Sequence, residues 1–237
     1  MSGHSKWANI KRQKMANDKV KGNVFGKMSK MITLSVIESG GMTRPEDNFK
    51  LRLAIEKAHA ANMPKENIKR AIEKGSGPDK SILKEIIYEG FAPYGVSLII
   101  QTTTDNHNRT LTEIRNVMDR NNGKLGEAGS VAYMFKKCGL IIFKKSDIDE
   151  VKALEISDTL GAFDLDSDES RYYIYFPFEN LGHIKDKLKD AKYESAEVDY
   201  KPQNTIEITE DEKLAHIDTL IEALETLDDV HKVFTNL

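Results

Sequence analysis

Cysteine is nearly missing from this 237-residue chain, with Cys138 the only one. A single thiol excludes an internal disulfide framework and a cysteine-based metal cluster, and it fits a reducing compartment, so a cytoplasmic protein is expected. Long apolar runs are also missing. Nothing approaches the ~18 residues of a membrane span, and the basic start is not followed by the apolar stretch of about 7–15 residues that marks a secretory signal. No membrane partner is expected, and the chain is read as mature from its first residues. The six histidines never stand at HExxH spacing, NNGKLGEAGS is not GxGxxG, and GSGPDKS is not a GxxxxGK[ST] loop, so no metal and no cofactor is expected.

The net charge of −3 conceals a division along the chain. Residues 1–80 hold 17 Lys/Arg against 8 Asp/Glu, leaving 18 and 30 for residues 81–237. A basic module on an acidic body is the footprint of a polyanion partner, because lysines that neutralise phosphates release counterions whatever the sequence. The first thirty residues carry eight Lys/Arg, one Asp and the lone tryptophan. Lys6, Lys11, Arg12, Lys14, Lys19 and Lys21 are the expected phosphate contacts, with Trp7 pinning the segment or stacking on a base. Lys27 and Lys30 extend the same cationic strip. Lys65 and Lys69, at i,i+4, add a second basic surface, and Arg109 at a helix start is a candidate anion contact.

Apolar spacing predicts helices over 24–39, 45–62 and 64–75, the first stopped by Gly40 and Gly41, the second with Pro45, Glu46 and Asp47 in its first turn. GSGPDKS at 75–81 reads as a linker. Strands at 86–91 and 95–104 are joined by a turn at APYG, and a helix at 109–121 follows TDNHNRT. That stretch holds an acid, a base and a hydroxyl, yet Asp and Asn are favoured at turns and caps for local reasons, and no catalytic residue is assigned. From 138 to 200 the order is β-α-β-β-α-β, that of a ferredoxin-like unit. DLDSDES at 164–170 is read as a solvated hairpin tip, and Thr209 with Glu212 as a capping box for a closing helix, followed by a last strand. The expected fold is α+β with three domains: a basic all-helical domain at 1–80, a discontinuous α+β domain at 81–136 plus 205–237, and a ferredoxin-like domain at 137–204 inserted in the second.

Together, GHSKWANIKRQK, FGKMSKMI, LRLAIEKAHAANMPKENIKRAIEKGSG, YEGFAPYGV, TDNHNRT and NNGKLGEAGSVAYMF closely resemble the YebC/PmpR family. The resemblance implies three domains, the first helical and two α+β. It also implies one of two non-catalytic roles, a DNA-binding transcriptional regulator or a ribosome-associated translation factor that relieves stalling at proline-rich sequences. Duplex DNA and ribosomal RNA are therefore both expected partners at this point, since phosphate contacts alone do not distinguish them. His107 stands where the family commonly has Arg, which removes a permanent charge from that loop.

Overall fold

The computed structural model describes residues 21–77, 82–189 and 191–237, with the side chains of residues 21 and 22 not described. Three helices come first: α1 (Lys21–Glu38), α2 (Phe49–Ala60) and α3 (Lys65–Ser76). They close on one core of Ile32, Val36, Leu51, Ala54, Ala58, Met63, Ile68 and Ala71. α1 and α3 approach closely enough that a Cβ on Gly75 would sit 2.7 Å from both the Thr33 carbonyl and Val36 Cβ, so only glycine fits there. The Thr33 hydroxyl donates to the Ala71 carbonyl at 2.9 Å across the same crossing.

Helix α2 starts later than its proline suggests. Asn48 is the N-cap, its Oδ1 accepting from the Leu51 N–H at 3.1 Å while its amide donates to the Ser35 carbonyl at 2.9 Å and to the Ser39 hydroxyl. Asn48 is buried between the end of α1 and the start of α2. Pro45, Glu46 and Asp47 therefore belong to the preceding turn, where both acids lie near Arg44.

Two four-stranded antiparallel sheets follow. β1 (Lys84–Phe91) and β2 (Ser97–Thr104) form a hairpin, α4 (His107–Arg120) packs behind it, and β3 (Lys124–Leu125) pairs with β1. After the second sheet has formed, α7 (Asp211–Glu225) and β8 (Val230–Thr235) return to this one, giving the order β3-β1-β2-β8. Its core joins Leu98, Ile100, Ile114, Met118, Ile217, Leu220, Ile221 and Val233. The second sheet consists of β4 (Phe135–Lys144), β5 (Asp164–Ser167), β6 (Arg171–Pro177) and β7 (Ser195–Pro202) in the order β5-β6-β4-β7. With α5 (Glu150–Leu160) and α6 (Ile184–Leu188) in the two crossovers, this is the split β-α-β arrangement. α6 is only five residues, because residues 178–183 form a 3-10 segment in which Gly182 lies against the Phe49 ring.

The capping box does not form. Glu210 is the N-cap of α7 and no side chain caps it. Ile208 is buried in the first sheet's core with Ile206 beside it, and that packing fixes how the chain enters the helix. In DLDSDES, Asp168 builds the turn rather than facing solvent alone, accepting from the Ser170 and Arg171 N–H groups and the Tyr173 hydroxyl.

Two local features yield expected results. Tyr94 at the β1–β2 turn has φ 65° and ψ 21°, and Gly95 follows at φ 81°. Paired left-handed residues suit a hairpin's twist, but tyrosine bears a steric cost there that asparagine largely avoids. Tyr94→Asn relieves that cost but gives up the ring's contacts with His216 and Lys213, so stability in urea denaturation is expected to stay within about 0.5 kcal/mol of the parent. Glu89, which is buried, takes the N–H groups of Gly129, Val131 and Ala132 at 2.6, 2.7 and 2.7 Å and so shapes the 126–132 loop. Burial raises its pKa, but the three backbone bonds outweigh this and hold it below the usual carboxylate range. Its contribution is thus present above the unfolded value near ~4.3 and lost as pH falls through the lower folded value. Glu89→Gln, which keeps the shape and loses the charge, is expected to cost about 1.5–3 kcal/mol by the same measurement.

Candidate nucleic-acid interface

Of the expected contacts, Lys6, Trp7, Lys11, Arg12, Lys14 and Lys19 lie outside the described residues, as does the side chain of Lys21, which opens α1. Further along α1 the cationic strip does not face solvent as the sequence suggests. Lys27 Nζ donates to the Glu225 carbonyl, Asn23 to the Thr226 carbonyl at 2.8 Å, and Lys30 to the Asp228 carbonyl at 3.1 Å and the Asp229 carboxylate at 2.6 Å. These acceptors lie at the C-terminal end of α7 and the turn after it, where the helix dipole and unsatisfied carbonyls favour cations. Burial lowers the Lys27 pKa, partly offset by Glu225 and Asp228.

A basic surface among the described residues lies on α3. Lys65, Lys69, Arg70 and Lys74 are all exposed. Lys69 reaches Glu73 only at 3.9 Å, and no carboxylate among the described residues lies within 4.0 Å of the cationic nitrogens of Lys65, Arg70 or Lys74. These cations face solvent from one short helix whose apolar side is fixed by Ile68 and Ala71.

Arg109 occupies the first turn of α4, where Asn106 is the N-cap. Its Nη2 lies 2.9 Å from Asp105 and 2.7 Å from Asp229, so the guanidinium is already committed to two carboxylates. The Asp229 side chain is 2% exposed and also accepts from the Thr110 hydroxyl at 2.6 Å. Burial raises its pKa, and the bonds from Arg109, Lys30 and Thr110 overcome that and hold it far below the usual range. Asp229 thus ties α1, α4 and the start of β8 together. Nothing in LDDVHK singles it out, because its three partners come from residues 30, 109 and 110. His107 Nδ1 lies 3.0 Å from the Tyr88 hydroxyl, with the two rings stacked at 5.8 Å. TDNHNRT is accordingly a structural turn in its visible contacts.

A second charged junction joins the two sheets to α2. Lys232 Nζ lies 2.9 Å from Glu197 and 3.0 Å from Asp199, and Lys57 reaches Glu197 at 2.7 Å. The Tyr193 hydroxyl donates to Glu56 at 3.0 Å, and Arg52 donates to the Gly182 carbonyl at 3.3 Å. No group of three or more His, Cys, Asp or Glu residues suited to a metal occurs among the described residues. Burial and Asp199 push the Cys138 thiol up to about 12, which makes it inert as a nucleophile at neutral pH. A surface groove beside Lys144, Lys145 and Arg171 also includes Glu169, and Arg171 is held by Glu194 at 2.6 Å. No helix among the described residues is long and apolar enough to cross a membrane.

The profile described as "TACO1/YebC protein N-terminal domain" matches residues 5–78, and "TACO1/YebC second and third domain" matches residues 83–237. A protein of Syntrophomonas wolfei named "Probable transcriptional regulatory protein" is 45% identical over 100% of this chain and 96% of its own length. One of the same name from Chlorobium chlorochromatii is 45% identical over 100% of this chain and 95% of its own. The crystal structure of a conserved hypothetical protein of Aquifex aeolicus, 39% identical, superimposes with a TM-score of 0.86 over 98% of this chain and 96% of that one. Over its whole length, then, in sequence and in fold, the chain belongs to the TACO1/YebC family.

Proposed function

We propose that this protein is a non-enzymatic, nucleic-acid-binding regulator of gene expression in the cytoplasm, acting as a DNA-binding transcriptional regulator. The observation that carries this is the exposed cationic surface of α3, four Lys/Arg against Glu66 and Glu73, on a module whose first thirty residues are also strongly basic. The names of the full-length relatives support the regulatory role. In this reading Lys6, Lys11, Arg12, Lys14, Lys19, Lys21, Lys65 and Lys69 contact phosphates, Trp7 pins or stacks, and Arg109 acts indirectly by holding Asp229. The chain divides into a helical domain at 1–80, a sheet domain at 81–136 plus 205–237, and an inserted sheet domain at 137–204. The pairing of β2 with β8 supports that division.

Charge reversal at Lys11, Arg12 and Lys14 should weaken binding to all DNA sequences and flatten its log–log salt dependence by a slope of roughly 2–3. Lys65→Glu with Lys69→Glu should flatten it by roughly 2 more. Unchanged affinity and slope in both variants would remove the helical domain from the interface.

A further inference from the structure

We propose that the helical domain is a clamp held shut by its own lysines: Lys27 and Lys30 bind the end of α7 and Asp229 in the closed form, and turn to nucleic-acid phosphates when the domain lifts away. The proposal rests on the nucleic-acid reading above and adds to it a conformational control.

Mutual exclusion comes first. Carbonyl oxygens at a helix end and a buried carboxylate offer an ammonium group the same kind of acceptor that a phosphate does. Lys27 is bonded to the Glu225 carbonyl and Lys30 to Asp228 and Asp229, so in the closed form both ammonium groups are held against the body and reach a phosphate in full only on release.

The seam is also polar. The helical core draws its buried members from residues 32–71 alone. Contact with the sheets runs mainly through Asn23, Lys27, Lys30, Arg52 and Lys57, with Phe49 and Leu53 the apolar residues that cross to the second sheet's core. Polar seams of this kind permit domain motion.

The closed form is poised as well. Among the described residues, the buried side-chain atoms without a hydrogen-bond partner are Asn23 Oδ1, Arg52 Nε, both ring nitrogens of His231, and Ser130 Oγ. All but the last belong to residues on this seam. His231 lies among Lys27, Lys30 and Lys57, with Asp229 the opposing charge, and burial with those lysines lowers its pKa to about 3, so the ring is neutral and unpaired. Each such atom regains water on opening, which favours the open form.

Two substitutions on the body side leave every basic contact residue intact and act in opposite directions. Tyr193→Phe removes the bond to Glu56 and loosens the seam. His231→Leu replaces the unpaired ring with an apolar group and tightens it. Backbone hydrogen exchange of α1 and β8 reads the clamp directly, and fluorescence anisotropy with a labelled mixed-sequence duplex DNA and a labelled ribosomal RNA fragment reads binding. Tyr193→Phe should speed exchange and bind several-fold more tightly than the parent protein, while His231→Leu should slow exchange and bind several-fold more weakly. Affinities that move together, or stay fixed while exchange moves, overturn the clamp. Should the parent protein bind neither probe, the nucleic-acid reading fails, and exchange alone decides: opposite shifts retain the latch, and their absence ends it.

Discussion

Asp229→Ala is expected to lower the stability of this protein by about 3–5 kcal/mol, the cost of removing one partner from a buried charge cluster. The carboxylate is 2% exposed and accepts from Lys30, Arg109 and Thr110. Without it, Lys30 keeps only the Asp228 carbonyl and Arg109 only Asp105, and the Thr110 hydroxyl loses an acceptor. The same residue adds acid sensitivity. Because its folded pKa is depressed, its contribution is fully present above the unfolded value near ~3.9 and disappears as pH falls through the lower folded value. Urea denaturation at neutral pH and at about pH 3 checks both points: the deficit of the variant should be large at the first and smaller at the second. A loss below about 1 kcal/mol at neutral pH would reduce the cluster to the worth of a surface pair.

Lys232→Met is expected to cost a similar ~3–5 kcal/mol. Lys232 stands on β8 between Glu197 and Asp199, which project from the same face of β7 two residues apart. All three side chains are less than one-fifth exposed. Burial disfavours the Lys232 charge, but the two carboxylates outweigh it and raise its pKa. Burial likewise works against ionised Glu197, which Lys232 and Lys57 still hold ionised, whereas Asp199, buried and beside Glu197, has its pKa raised. In the variant Glu197 keeps Lys57, while Asp199 loses its cation and must take up a proton or remain charged beside Glu197. The deficit should therefore shrink as pH falls from 7 toward about 5, and Asp199→Asn in the same background should recover part of it. A deficit that grows with acidity would contradict the assignment.

The elements were largely legible and their junctions were not. Helix α1 could be read because its apolar positions recur at helical spacing and two glycines, at φ 76° and 98°, end it. The β-α-β-β-α-β run could be read because strand and helix periods alternate within one stretch. The start of α2 was misplaced because Pro45 is a local signal, whereas the cap at Asn48 depends on Ser35 of the preceding helix and Ser39 just past its end. Lysines posed the same difficulty at the site. Lys27 and Lys69 look alike in sequence, yet one is bonded to the end of α7 and the other faces water. The acceptor for Lys27 lies 198 residues away, beyond any local pattern.

The central claim is that the basic helical domain carries the nucleic-acid contact. Ultraviolet crosslinking in living cells tests it most directly, with the attached DNA and RNA sequenced and the crosslinked peptides mapped. The account predicts discrete promoter DNA attached through peptides from residues 1–30 and from α3. Ribosomal RNA in place of promoter DNA, through the same peptides, would keep the interface and replace the transcriptional role with one in translation. Nucleic acid at background, or crosslinks confined to the two sheets, would contradict the account.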